Sequence, residues 1–112
     1  MVPGGAARPT VTHVDVEDGW EADEETGGLV HMIRTSDALM VGLWKPDGVA
    51  GSRIEYELSA DETLLVLGGS GEVRVDEDEP IPLRPGVVVS LSRGSRLSWL
   101  VDEDFRELWI YS

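Results

Sequence analysis

Asp61-Glu62-Thr63-Leu64-Leu65-Val66-Leu67-Gly68-Gly69-Ser70-Gly71-Glu72-Val73-Arg74-Val75 is the stretch that decides the fold. Thr63 to Leu67 is a short apolar run bounded by turn residues, which predicts a strand. Gly68, Gly69 and Gly71 permit a tight reversal through positive φ, and Glu72 to Val75 continues as a second strand. Asp76 to Glu79 makes the next turn. Two strands joined by a glycine turn, with no helical period, point to an all-β chain.

The same pattern extends in both directions. Upstream, strands are predicted over Val11 to Val16 (an edge), Leu29 to Thr35, Leu39 to Trp44 and Ile54 to Leu58. Gly27-Gly28, Ser36-Asp37 and Lys45-Pro46-Asp47-Gly48 separate them, the last fitting a type I turn. Downstream, Pro80 and Pro82 restrict Ile81 to Leu83 to an edge or crossing segment. Pro85-Gly86 leads into Val87 to Leu91, Gly94 precedes Arg96 to Val101, and Phe105 to Tyr111 closes the series. Short strands at this spacing predict a sandwich or barrel.

At 112 residues the chain reads as one domain, residues 11–112, behind a loose tail over residues 1–10. The tail lacks the apolar run of a signal peptide, and no segment approaches the length of a membrane helix. With no cysteine there are no disulfides, no thiolate zinc site and no cysteine nucleophile; a cytoplasmic location is expected. The net charge of -13 opposes binding to nucleic acid or to anionic membranes. Seven acids fall between Asp15 and Glu25, four in Asp76 to Glu79 and three in Asp102 to Asp104, all read as solvated turns or tails.

From Gly42 to Ser112 the chain resembles the cupin superfamily. One block is Asp61 to Val75. The other is Leu83-Arg84-Pro85-Gly86-Val87-Val88-Val89 followed by Ser92-Arg93-Gly94-Ser95-Arg96-Leu97-Ser98-Trp99. Gly42-Leu43-Trp44 and Trp99 are most similar to the branch containing ureidoglycine aminohydrolase and the ethanolamine-utilisation acetate kinase. The resemblance implies a cupin barrel, a double-stranded β-helix or jelly roll of short antiparallel strands.

The resemblance also locates a metal site, and here the chain departs from it. Metal cupins use a pair of histidines, a glutamate, and a third histidine in the second block. Those positions fall on Glu55 and Glu57, Glu62, and Leu97. Leu97 cannot coordinate anything, so the imidazole site suited to transition metals is degenerate. The two histidines, His13 and His31, lie outside both blocks. No cofactor is therefore expected. The alternative is a divalent ion held by Glu55, Glu57, Glu62 and His31 through mainly oxygen donors.

Glu55 and Glu57 project from one face of their strand, roughly 7 Å apart, with Ile54, Tyr56 and Leu58 on the other. Simple burial puts the apolar set inside; the family's register puts the glutamates inside, and that register is the expected one. It leaves Ile54, Tyr56 and Leu58 to be covered, which predicts a homodimer. Trp44 and Trp99 read as core or as pocket walls. Trp109 and Tyr111 share a face opposite Leu108 and Ile110, so one pair is core and the other interface or rim.

Together these give a small-molecule binder. Glu55, Glu57 and Glu62 would form one wall and Trp44, Leu97 and Trp99 the other, favouring an amine-bearing or polyhydroxylated ligand. The alternative is a hydrolase or isomerase of a small nitrogen-containing metabolite. It would use a carboxylate-bound metal, or Glu57 or Glu62 as acid or base.

Overall fold

Alternation of apolar and polar residues along short segments, interrupted by glycine and proline turns, produces ten strands among the described residues. The computed structural model describes residues 13–15 and 17–112. In chain order the strands are β1 (Glu21–Ala22), β2 (Leu29–Thr35), β3 (Met40–Lys45), β4 (Ile54–Glu57) and β5 (Glu62–Gly68), then β6 (Gly71–Val75), β7 (Ile81–Leu83), β8 (Val88–Leu91), β9 (Arg96–Val101) and β10 (Arg106–Tyr111). Among the described residues there is no helix long and apolar enough to cross a membrane. The tail over residues 1–10 lies outside the described residues. So do positions 11, 12 and 16 of the expected first strand; residues 13–15 carry no strand.

Two antiparallel sheets pack face to face. One has the order β1-β2-β3-β10-β5-β8 and the other β4-β9-β6-β7. From β3 to β10 successive strands cross between the sheets, except that β6 and β7 are neighbours in the same one; this is the all-β jelly-roll architecture expected. β7, with Pro82 in it, pairs with β6 at the sheet edge, as a strand lacking an N–H must. The core between the sheets holds Leu64, Val66, Val73, Leu83 and Phe105, each 2 % exposed or less.

The expected register of β4 is overturned. Ile54 lies opposite Trp99 and Tyr56 opposite Leu97 on β9, and directly opposed residues project to the same face. Leu97 and Trp99 are buried, so Ile54 and Tyr56 face inward with them, and Leu58 follows at 2 % exposure. Glu55 and Glu57 are exposed on the outer face. The pairing forbids having both the glutamates and Leu97 inside. With the apolar set in the core, Ile54, Tyr56 and Leu58 need no second subunit as cover.

The outer faces of the two sheets differ in character. That of the four-stranded sheet carries Glu55, Glu57, Glu72, Arg74 and Arg96, with a long contact of 3.7 Å from Arg53 to Glu72. That of the six-stranded sheet presents Val41, Leu65, Leu67, Val88, Leu108 and Ile110, of which Val88 is 62 % and Leu67 46 % exposed. Trp20 covers another part of this face. Its ring meets His31 edge-on at 5.9 Å, and Lys45 Nζ sits 4.4 Å from its centroid.

Candidate functional site

A cavity of about 200 Å³ lies between the sheets. Its walls come from the inward positions of β2 (Val30, Met32), β3 (Met40, Trp44), β4 (Ile54, Tyr56), β9 (Trp99) and β10 (Trp109, Tyr111). Two close approaches make the aromatic walls possible. A Cβ on Gly42 would lie 2.6 Å from the Trp109 ring, and one on Gly28 would lie 2.6 Å from the Trp44 ring. Glycine at both positions lets the indoles lie flat against neighbouring backbone.

The turn between β1 and β2 contributes Asp23, Glu25 and Thr26 to the lining. The Thr26 hydroxyl donates to Asp23 Oδ2 at 2.6 Å and accepts the Gly28 N–H at 3.2 Å and the Trp44 indole N–H at 2.8 Å. The turn is thereby fastened to the cavity wall. Glu25 is exposed and Asp23 half-buried, so this acidic turn forms the wet end of the site.

Two carboxyls reach the cavity from deeper positions: Glu62 on β5 is 2 % exposed and Glu107 on β10 is 6 % exposed. Among the described residues, Glu62 Oε1 and Glu107 Oε2 are buried without a hydrogen-bond partner, as is the Trp99 indole N–H, and no lysine, arginine or histidine lines the cavity. Burial, with a smaller contribution from the Glu25 charge, pushes the Glu62 carboxyl from 4.5 up to about 7. Burial, and then the neighbouring Glu62, holds Glu107 well above the ordinary carboxylate range. Burial first and the nearby acids second raise the Tyr56 and Tyr111 phenols as well, keeping both as neutral hydrogen-bonding groups.

Of the residues the sequence nominated, Trp44, Glu62 and Trp99 meet at this cavity. Leu97 is buried beside it in the core, 2 % exposed. Glu55 and Glu57 point to solvent, so Glu57 cannot act on anything held inside. His31, paired with Leu43 on the outer face, lies under Trp20 and does not meet Glu62. The donor set is divided between the outer face of one sheet (Glu55, Glu57), the cavity (Glu62) and the outer face of the other sheet (His31), and does not fit a cupin metal centre. Among the described residues, no group of three or more His, Asp or Glu is placed to hold an ion.

Glu107 escaped the sequence reading. Its signal was parity: it shares a face with Trp109 and Tyr111 on an alternating strand, so an inward Trp109 brings Glu107 inward with it. Asp23 and Glu25 were read only as part of a solvated acidic run, because their place over the cavity depends on the pairing of β1 with β2.

The sequence matches no protein-family model and no curated protein. Solved structures do match the fold. A protein of Salmonella typhimurium LT2 described as a putative ethanolamine utilization protein Q is 19 % identical with a TM-score of 0.71, over 96 % of this chain and 97 % of that one. A cupin superfamily protein from Desulfitobacterium hafniense DCB-2 is 23 % identical with a TM-score of 0.66, covering 81 % and 82 %. KdgF from a Halomonas species is 20 % identical with a TM-score of 0.69, covering 88 % and 91 %. The likeness shows that this chain has the cupin fold, which these proteins of different function share.

Proposed function

We propose that this cupin-fold chain binds a small amine-bearing or polyhydroxylated metabolite in the barrel. The observation that supports this is the pair of buried carboxyls, Glu62 and Glu107, each with an oxygen unpartnered among the described residues, in an aromatic cavity whose described lining has no basic side chain. Buried acceptors without donors are costly, and an ammonium or hydroxyl donor from a ligand relieves that cost. The faces of Trp44, Trp99 and Trp109 attract a cation through their ring quadrupoles. The Trp99 N–H offers a donor to a ligand hydroxyl or carbonyl oxygen. The name of the similar Salmonella protein carries ethanolamine, which combines an amine and a hydroxyl. Calorimetric titration with small amines, amino alcohols, sugars, carboxylates and phosphates tests the reading. Amines or polyols should bind and anions should not; equal binding of anions would refute it.

The raised Glu62 favours a second reading, a hydrolase or isomerase in which this carboxyl moves a proton. A group titrating near 7 is matched to acid–base work at neutral pH. On any substrate found, Glu62→Gln should then lower kcat by roughly a hundredfold or more. Full activity in that variant would remove Glu62 from the chemistry.

We also infer a homodimer, now through the outer face of the six-stranded sheet. With a net charge of -13, two copies repel least across a surface such as Val41, Leu65, Val88, Leu108 and Ile110, where no described acid intervenes. Light scattering at micromolar concentrations should give twice the chain mass; a monomer mass throughout would remove the inference.

A further inference from the structure

The two buried carboxyls arise from different levels of the barrel. On the β5–β10 ladder Tyr111 lies opposite Glu62, while Glu107 lies opposite Val66. Their Cα atoms therefore stand four strand positions apart, roughly 13 Å along the ladder. Both face the same cavity. Trp109, opposite Leu64, occupies the level between them. One ammonium group can satisfy one of these carboxyls and leaves the other as a buried acceptor without a donor. Among the described residues, this cavity's lining offers no lysine, arginine or histidine to the second; Lys45 and Arg106 border Glu107 only from a separate hollow.

We propose that the ligand is a linear diamine, with one ammonium at Glu62, the other at Glu107 and the connecting chain laid across Trp109. This rests on the reading of the cavity as an amine site and names the class of amine it takes. An aliphatic chain between two ammonium groups suits the apolar middle of the cavity, where Val30, Met32 and Ile54 join the indoles. The Trp99 N–H provides a place for an oxygen substituent on that chain. The acids of the β1–β2 turn, Asp23 and Glu25, favour entry of a doubly charged cation over a singly charged one.

The test is calorimetry on the full chain at pH 8, with linear diamines of three to six methylenes and monoamines of the same lengths. One diamine length should bind roughly tenfold or more tightly than its matching monoamine, the contribution of a hydrogen bond to a buried charge. Glu107→Gln should reduce that ratio to near one, in protein whose melting curve remains cooperative. Monoamines binding as tightly as every diamine would overturn the proposal while leaving the amine site intact. Diamines without a preferred length would also overturn it. Should Glu107→Gln fail to fold, the length series on the unaltered chain decides alone. No binding by either class would overturn both this proposal and the amine reading.

Discussion

Trp44 donates its indole N–H to the Thr26 hydroxyl across 2.8 Å, tying a wall of the cavity to the turn at its wet end. The same oxygen accepts the Gly28 N–H, and its proton goes to Asp23. Replacing Thr26 with valine keeps the shape and removes all three bonds. Thr26→Val should cost about 1–3 kcal/mol, since it strands a buried indole donor. Urea denaturation followed by tryptophan fluorescence measures this. A change below about 0.5 kcal/mol would mean that water replaces the hydroxyl and that the turn is not fastened as described.

Glu62 gives the protein a pH dependence of definite sign. Folding raises its carboxyl from 4.5 to about 7, so between those values the native state holds a proton that the unfolded chain has released. Its contribution is fully present below pH 4.5 and is lost as the pH climbs through 7. Stability should therefore decline across that window by as much as about 3 kcal/mol. Glu107 adds in the same direction. The charged and titratable groups around Glu62 are Glu25, Glu107, Tyr56 and Tyr111, and none is basic. In Glu62→Gln, thermal melts from pH 4.5 to 8 should show a shallower decline; an unchanged slope would place the effect elsewhere.

Ligand affinity should run the opposite way. An ammonium is held by the carboxylate, not the carboxylic acid, so binding has to displace the proton from Glu62. Affinity for an amine should rise as the pH passes from about 6 to about 8, with proton release seen when titrations are repeated in buffers of different ionisation enthalpy. A pH-independent affinity would show that Glu62 does not contact the amine.

Opposite consequences for neighbouring residues follow from the β4 register. Glu55→Ala and Glu57→Ala remove exposed side chains and should each change stability by no more than about 0.5 kcal/mol. Tyr56→Ala empties a partly buried position on the cavity wall and should cost about 3 kcal/mol. Chemical denaturation of the three variants gives the comparison directly. A large loss from either glutamate with a small one from Tyr56 would restore the family's register.

That register shows where the sequence was legible and where it was not. Turn residues such as Pro85-Gly86 and the apolar runs they bound gave nine of the ten strands, because both signals are local. Ile54-Glu55-Tyr56-Glu57 has a period of two and fits either face. Its orientation is set by β9, about forty residues away in sequence. The candidate site suffered for the same reason. Trp44, Glu62 and Trp99 were found, but Glu107 beside Arg106 reads as an ordinary solvated charge until β10 is seen between β3 and β5.

Gly42 offers a test of whether the aromatic wall is shaped for a ligand or is packing alone. It stands opposite Trp109 on β10, and an added methyl would fall 2.6 Å from that indole. Gly42→Ala should therefore push Trp109 into the cavity, since the strand backbone cannot retreat without breaking the β2–β3–β10 ladder. Overpacking of this kind costs about 1–3 kcal/mol. The loss of cavity volume should weaken binding of any amine that lies across Trp109, beyond what the loss of stability explains. Trp109→Phe, a smaller ring on the same backbone, should relieve the strain of Gly42→Ala in the double variant, and the coupling between the two changes measures their contact. If Gly42→Ala destabilises while leaving amine affinity unchanged, Trp109 belongs to the core and the ligand lies elsewhere in the barrel.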